Sequence, residues 1–96
     1  MAQFNVGRVG ATVAAVKFCH DSGISMILDI IYRHTLGQWG DVSPEIHVAN
    51  DIAIRIGGPL ISMYTFELGK VYVITDSDRS HTSVMLVEEY ETKIAD

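Results

Sequence analysis

The chain has one cysteine, two prolines, one tryptophan and seven basic residues in 96 positions. Each scarcity excludes something. A lone cysteine, Cys19, rules out an intramolecular disulfide and any CxxC zinc or redox pair. Within a helical pattern it reads as a small buried hydrophobe. The basic residues Arg8, Lys17, Arg33, Arg55, Lys70, Arg79 and Lys93 are scattered, and they stand against twelve acidic ones for a net charge of −5. Nucleic-acid binding needs clustered Lys and Arg, and no basic stripe forms, so nucleic acid is excluded as a partner. No long apolar run is present. ISMILDII at 24–31 is short and interrupted by Asp29, so no membrane span is expected. The start, MAQFNVGR, lacks the apolar core of a signal peptide, and the expected location is cytoplasmic.

What the chain does have is apolar residues, at 48% with a mean hydropathy of +0.22, while charged residues reach only 20%. Ordinary globular chains carry roughly 25% charge. Ninety-six residues make one domain, 1–96, with a charged tail over 91–96 that is expected to fray. A chain this short buries only about 60–65% of its unfolded surface. Few charges on so small a body predict a homo-oligomer, a dimer or higher.

Residues 3–9, QFNVGRV, read as a short strand weakened by Gly7. Thr12 is a candidate N-cap for a helix running through Val13, Val16 and Cys19 to Gly23. A second helix begins at Ser25. Ile27, Ile30, Ile31 and His34 recur at i, i+3, i+4, i+7 and draw one apolar face; Asp29 and Arg33 form an i,i+4 pair on another. Ser43-Pro44-Glu45 signals a third helix, with cap, first-turn proline and an acid at the positive end of the dipole. Its inner face is expected at Ile46, Ala49, Ala53 and Ile56, with Asp51 and Arg55 paired outside, and Gly57-Gly58-Pro59 ends it.

The period then changes to two. LISMYTFE at 60–67 and KVYVIT at 70–75 read as strands joined by a hairpin at Leu68-Gly69, followed by a third strand near Ser83–Val87. The expected fold is α+β: a short N-terminal strand, three helices, then a three-stranded antiparallel meander with the helices packed on one face. The other face would carry Ile, Met, Tyr or Val side chains, and burying it against another subunit would account for the apolar composition.

Signatures of chemistry are few. His20, His34, His47 and His81 form neither HxxxH nor HExxH, so no metal site is expected. DSDRSH at 76–81 begins like a calcium loop, but His81 and Val87 stand where Gly and Glu are required. No GxSxG, Walker A or GxGxxG motif occurs, and no cofactor is implied. The candidate polar set is His34, Trp39, Asp41, Asp78 and Arg79. Each has a structural reading beside the functional one. His34 continues an apolar stripe, and Trp39 plugs a helix corner. Asp41 serves a helix start. Asp78 and Arg79 form a turn whose guanidinium braces loop to helices. His47 and Asp51 read as a surface pair, and Asn50 as a buried amide that satisfies backbone groups.

GRV at 7–9, RH at 33–34, G-x-W-G-D at 37–41, Asn50, ISMY at 61–64, ITDSDRS at 74–80, Thr82 and EEY at 88–90 together resemble one family of small bacterial proteins. Its members are encoded on plasmids and other mobile elements, and a mobile gene cassette is a compatible origin. The similarity covers about residues 7–90. Val13 and Val87 depart from it, since family members often carry Pro at those places. Some members bear the label of a restriction-modification methyltransferase subunit. This chain is too short for such a cofactor-binding domain and lacks its glycine-rich loop.

The expected function is therefore that of a small noncatalytic accessory protein of a mobile element. It would act as a homo-oligomer and bind a protein or a small polar ligand. The alternative is a small enzyme or ligand-binding protein whose polar site joins the Arg33–Asp41 corner to the Asp76–Ser80 loop, with a histidine base, an arginine anion clamp and a tryptophan wall.

Overall fold

The computed structural model describes residues 2–22 and 26–90. It is an α+β fold. The element order is β1 (Arg8–Ala11), α1 (Val13–Ser22), α2 (Met26–Thr35), α3 (Pro44–Ile56), β2 (Leu60–Phe66), β3 (Gly69–Thr75) and β4 (His81–Leu86). A fourth helical segment at 87–90 corrects the expected three, and the last strand begins at His81 and ends at Leu86 rather than running from Ser83 to Val87. The proposed stop at Gly23, the cap at Ser25 and the tail at 91–96 lie outside the described residues.

The sheet corrects the expected meander. Strands β2, β3 and β4 are antiparallel neighbours, but β1 adds to β4 in parallel, giving a four-stranded mixed sheet of order β1-β4-β3-β2. The N-terminal strand is also displaced, to 8–11 rather than 3–9. Gly7 explains the shift. Its φ is +63°, and a Cβ there would sit 2.3 Å from the Ser80 carbonyl oxygen, so the chain makes a close left-handed approach to the loop before pairing begins. Arg8 N–H then donates to that same oxygen at 2.9 Å.

Period-two burial fixes one sheet face inward. Leu60, Ser62 and Tyr64 on β2, Val71, Val73 and Thr75 on β3, and Thr82 and Val84 on β4 are buried. The three longer helices pack on this face: α1 on β4, α2 on β3 and α3 on β2. The Thr12 cap is present, with Ala15 N–H donating to Thr12 Oγ1 at 3.1 Å; so is the Ser43 cap, which accepts from Ile46 N–H at 3.3 Å. The α2 stripe holds, with Ile30 and His34 sealed and Ile27 and Ile31 half-buried.

Two helix faces are rotated from expectation. Val13 is 87% exposed and Val16 is exposed, while Ala15 and Cys19 are buried with Phe18 beside them. On α3 the inner side is Ile46, Asn50, Ala53 and Ile54; Ala49 is exposed and Ile56 is 79% exposed. Apolar periodicity could not fix this rotation because both sides of α3 carry apolar residues. Asn50 decided it. Its Nδ2–H donates to the Ile61 carbonyl at 2.8 Å, and its Oδ1 accepts the Ile61 N–H at 3.1 Å. The amide thus plays the part of a neighbouring strand at β2's outer edge. Asn50→Leu leaves both Ile61 groups unpaired and is expected to lower stability by about 2 kcal/mol, read as a lower denaturant midpoint at unchanged m-value.

Candidate functional site

His34 is the most deeply placed of the predicted residues, at 0% exposure, and both its ring nitrogens are taken. Nδ1 meets Ser62 Oγ at 2.5 Å and Nε2 meets Thr75 Oγ1 at 2.9 Å. Thr75 Oγ1 lies 2.7 Å from Thr82 Oγ1, which donates to the Val6 carbonyl at 2.7 Å. The carbonyl can only accept, and this fixes every proton along the chain. Thr82 gives its hydrogen to Val6, so Thr75 must donate to Thr82. Thr75 therefore accepts from His34 Nε2–H, and His34 Nδ1 accepts from Ser62. The imidazole is neutral, with its proton on Nε2. Its pKa is lowered to about 4, first by burial and then by the Arg79 guanidinium. Such a group is a structural hub spanning three strands, closed to solvent and to any substrate.

Trp39 is 2% exposed. Its ring stacks on Phe4 with centroids 6.0 Å apart and meets the His34 ring edge-on at 5.5 Å; its Nε1–H donates to Asp51 Oδ1 at 3.2 Å. Asp51 also lies 3.3 Å from His47 Nε2, so the expected His47–Asp51 pair is present. The expected Asp51–Arg55 pair is not among the described ion pairs, because Asp51 turns toward Trp39 and His47. Asp29 and Arg33 do pair, at 3.0 Å.

Arg79 adopts φ +63°, an unfavourable conformation for a side chain with Cβ. The surroundings compensate. Its guanidinium donates to the carbonyls of Gly58 (2.6 Å), Ala53 (2.9 Å), Asp76 (3.1 Å) and Ser77 (3.2 Å), and lies 5.9 Å from the Phe4 ring centre. It closes the C-terminal end of α3, where carbonyls lack intrahelical partners. Asp78 does not pair with it. The exposed Asp78 carboxylate accepts from Ser80 N–H (3.0 Å) and Ser80 Oγ (2.6 Å), and these bonds hold its pKa below the usual value. The corner and the DSDRS loop therefore meet across packed core, through Phe4. The five predicted residues do not share one cleft.

A pocket of about 380 Å³ does open at the corner, on its outer side. Trp39 and Asp41 line it with Asp29, Arg33, Tyr64 and Thr65, and no residue of 76–80 reaches it. Tyr64 donates its hydroxyl to the Gln38 carbonyl at 2.7 Å, and burial pushes the phenol's pKa up, so it stays a neutral donor. Asp41 is exposed, and its backbone N–H donates to the Met63 carbonyl at 2.7 Å. Gly40 permits this approach. Its φ is +75°, and a Cβ would stand 2.1 Å from the Met63 oxygen. The volume falls at the lower end of the roughly 300–1,000 Å³ of small-molecule sites.

Ser62, Thr75 and Thr82 were absent from the predicted set; Ser62 and Thr75 had a signal, each a hydroxyl at an inward position of an expected strand, whereas Thr82 fell before the strand expected from Ser83. Tyr64 and Thr65 had no such signal, since only the tertiary fold sets the helix corner beside β2. Cys19 is buried, with its thiol pKa raised by burial, as an inert core residue should be. Among the described residues no group of His, Cys, Asp or Glu is arranged to hold a metal, and no helix is long and apolar enough to cross a membrane. Comparison of the chain with protein-family models, curated proteins and solved structures finds no match.

Proposed function

We propose that the protein is a small cytoplasmic noncatalytic accessory protein of a mobile genetic element. It works as a homodimer, two copies joining the helix-free faces of their sheets. The observation that carries this is the arrangement of that face. Register puts Ile61, Ile74, Ser83 and Gly10 in one row and Met63, Tyr72 and Met85 in the next. Polar rows bound them: Thr65 and Lys70 at one end, Asp76, His81 and Arg8 at the other. An apolar centre with a polar rim is the anatomy of a protein interface. No described helix packs over the two apolar rows except the turn at 87–90, where Tyr90 meets Tyr72 edge-on at 5.2 Å.

Size and shape support a second copy as the occupant. Strands of 4, 7, 7 and 6 residues, at about 4.8 Å spacing and about 3.4 Å per residue, give roughly 390 Å² in projection. Side-chain relief raises this toward the ~800 Å² per partner of a stable complex. The face is also uneven. Gly10 and Ser83 leave a depression of about 250 Å³ on the β1 side, while the β2 side carries the larger, half-buried side chains of Ile61 and Met63. A two-fold axis parallel to the strands sets one copy's ridge over the other's depression, a self-complementary contact. The sealing of His34 favours a binding role over catalysis.

Sedimentation tests this. The wild-type chain is expected to be dimeric at about 100 µM, and Ile74→Asp to be monomeric with an unchanged far-UV spectrum, because a carboxylate at the centre of the face cannot be buried unpaired. A monomeric wild type, or a dimer that tolerates Ile74→Asp, overturns the proposal.

A further inference from the structure

Strand β2 forms one edge of the sheet, and its outward backbone groups are treated unequally. Alternate residues of an antiparallel edge strand point away from their partner. On β2 these are Ile61, Met63 and Thr65. Ile61 is met on both groups by the Asn50 amide. Met63 is met on both by the loop before α3: its N–H donates to the Trp39 carbonyl at 3.0 Å, and its carbonyl accepts the Asp41 N–H at 2.7 Å. This segment runs parallel to β2, as the Gly40–Met63 bridge shows. Continued by two residues, it would cover Thr65. Instead Ser43-Pro44 begins α3 and the chain turns away. Thr65 N–H and carbonyl are left facing the 380 Å³ pocket, and the described bonds give them no partner.

We propose that this pocket binds an extended peptide segment that pairs with Thr65 as one further rung of β2 and directs a Lys or Arg side chain to Asp41. Pairing by backbone supplies affinity, and the adjoining wall supplies choice of side chain. The wall is acidic. The Asp29 carboxylate is balanced by Arg33, whereas no described bond or ion pair engages the Asp41 carboxylate. A chain of net charge −5 adds long-range attraction for a cationic segment. The pocket lies at the β2 edge on the helix side; Thr65 also borders the sheet face, and the Ile74→Asp variant separates this proposal from the sheet-face dimer.

The test is an amide-resolved NMR titration of the full chain with three probes: N-acetyl-Ala-Lys-Ala-amide, its Glu counterpart, and a Lys probe with an ester in place of the central amide. The Lys amide probe is expected to shift the Thr65 N–H saturably in the millimolar range, with at least about tenfold weaker binding for the ester and Glu probes. Thr65→Pro removes only an outward N–H, a change that edge strands tolerate, and is expected to weaken binding about tenfold. Asp41→Asn is expected to abolish the preference for Lys over Glu. Ile74→Asp should leave all three affinities unchanged. No saturable shift at Thr65 up to about 10 mM, equal affinity for amide and ester, or equal affinity for Lys and Glu overturns the proposal.

Discussion

Trp39→Ala is expected to remove about 4 kcal/mol of stability, as large-to-small changes of buried aromatic residues do. For a chain of this length the whole native margin is roughly 5–14 kcal/mol, so the variant should melt about 20 °C lower. The reason lies in the position of the ring. Trp39 sits between α2 and α3 with Leu60 and Ala53, and its faces and edges are covered by Phe4 and His34. Truncation removes the ring that Phe4, Val42 and Ile54 pack around, and Phe4 is itself held beneath Arg79. Asp51 loses one donor but keeps His47 and solvent, so the loss is one of packing rather than of an orphaned polar group. Thermal unfolding followed by circular dichroism checks the value, with Val48→Ala on the exposed side of α3 as a control expected to change stability by less than about 0.5 kcal/mol.

Stability should also fall by about 3 kcal/mol between pH 6.5 and pH 4, through His34 alone. The folded imidazole titrates at about 4, whereas an unfolded histidine titrates near 6.5. Between those values the unfolded chain binds the extra proton and the folded chain does not. Stability therefore drops as pH falls, by about 1.4 kcal/mol per unit, and levels off below pH 4. Above pH 6.5 both states are neutral and the dependence vanishes. Protonation would also place a hydrogen on Nδ1 against Ser62, which must then surrender its donor role. Denaturant midpoints at pH 7, 5.5 and 4.5 measure the effect. His34→Gln should be less stable at pH 7 and should lack this part of the pH dependence. Equal wild-type stability at pH 7 and 4.5 would refute the sealed neutral histidine.

The histidine also shows how far sequence carried the reading. Its place on the apolar side of α2 followed from i, i+3, i+4, i+7 spacing. Its partners did not, because Ser62, Thr75 and Thr82 come from three different strands, up to 48 positions away in the register that the sheet imposes. Trp39 was legible as a plug at a helix corner and Arg79 as a brace, although a ligand wall and an anion clamp fitted the same residues until the tertiary contacts separated them. The rotation of α3 was not legible. Val48, Ile52 and Ile56 make as good a stripe as the true inner face, and only the Asn50–Ile61 pairing selects between them. Gly7, His34, Trp39, Gly40, Asn50, Ser62, Arg79 and Thr82 hold the fold: each supports a close approach, a buried bond or a brace.

The sequence by itself determined the types of the first three helices and the four strands, most of their boundaries, the caps at Thr12 and Ser43, and the α+β class, but not the helical turn at 87–90. Those are local matters, settled by period, capping side chains and glycine or proline stops within a few residues. The tertiary structure alone decided that β1 joins β4 in parallel, that the His34 corner and the DSDRS loop meet through Phe4 rather than across a cleft, and that Thr65 is left open beside Asp41. Each of these depends on which backbone groups find partners far along the chain, and pairing between distant segments leaves no periodic trace in the residues that make it.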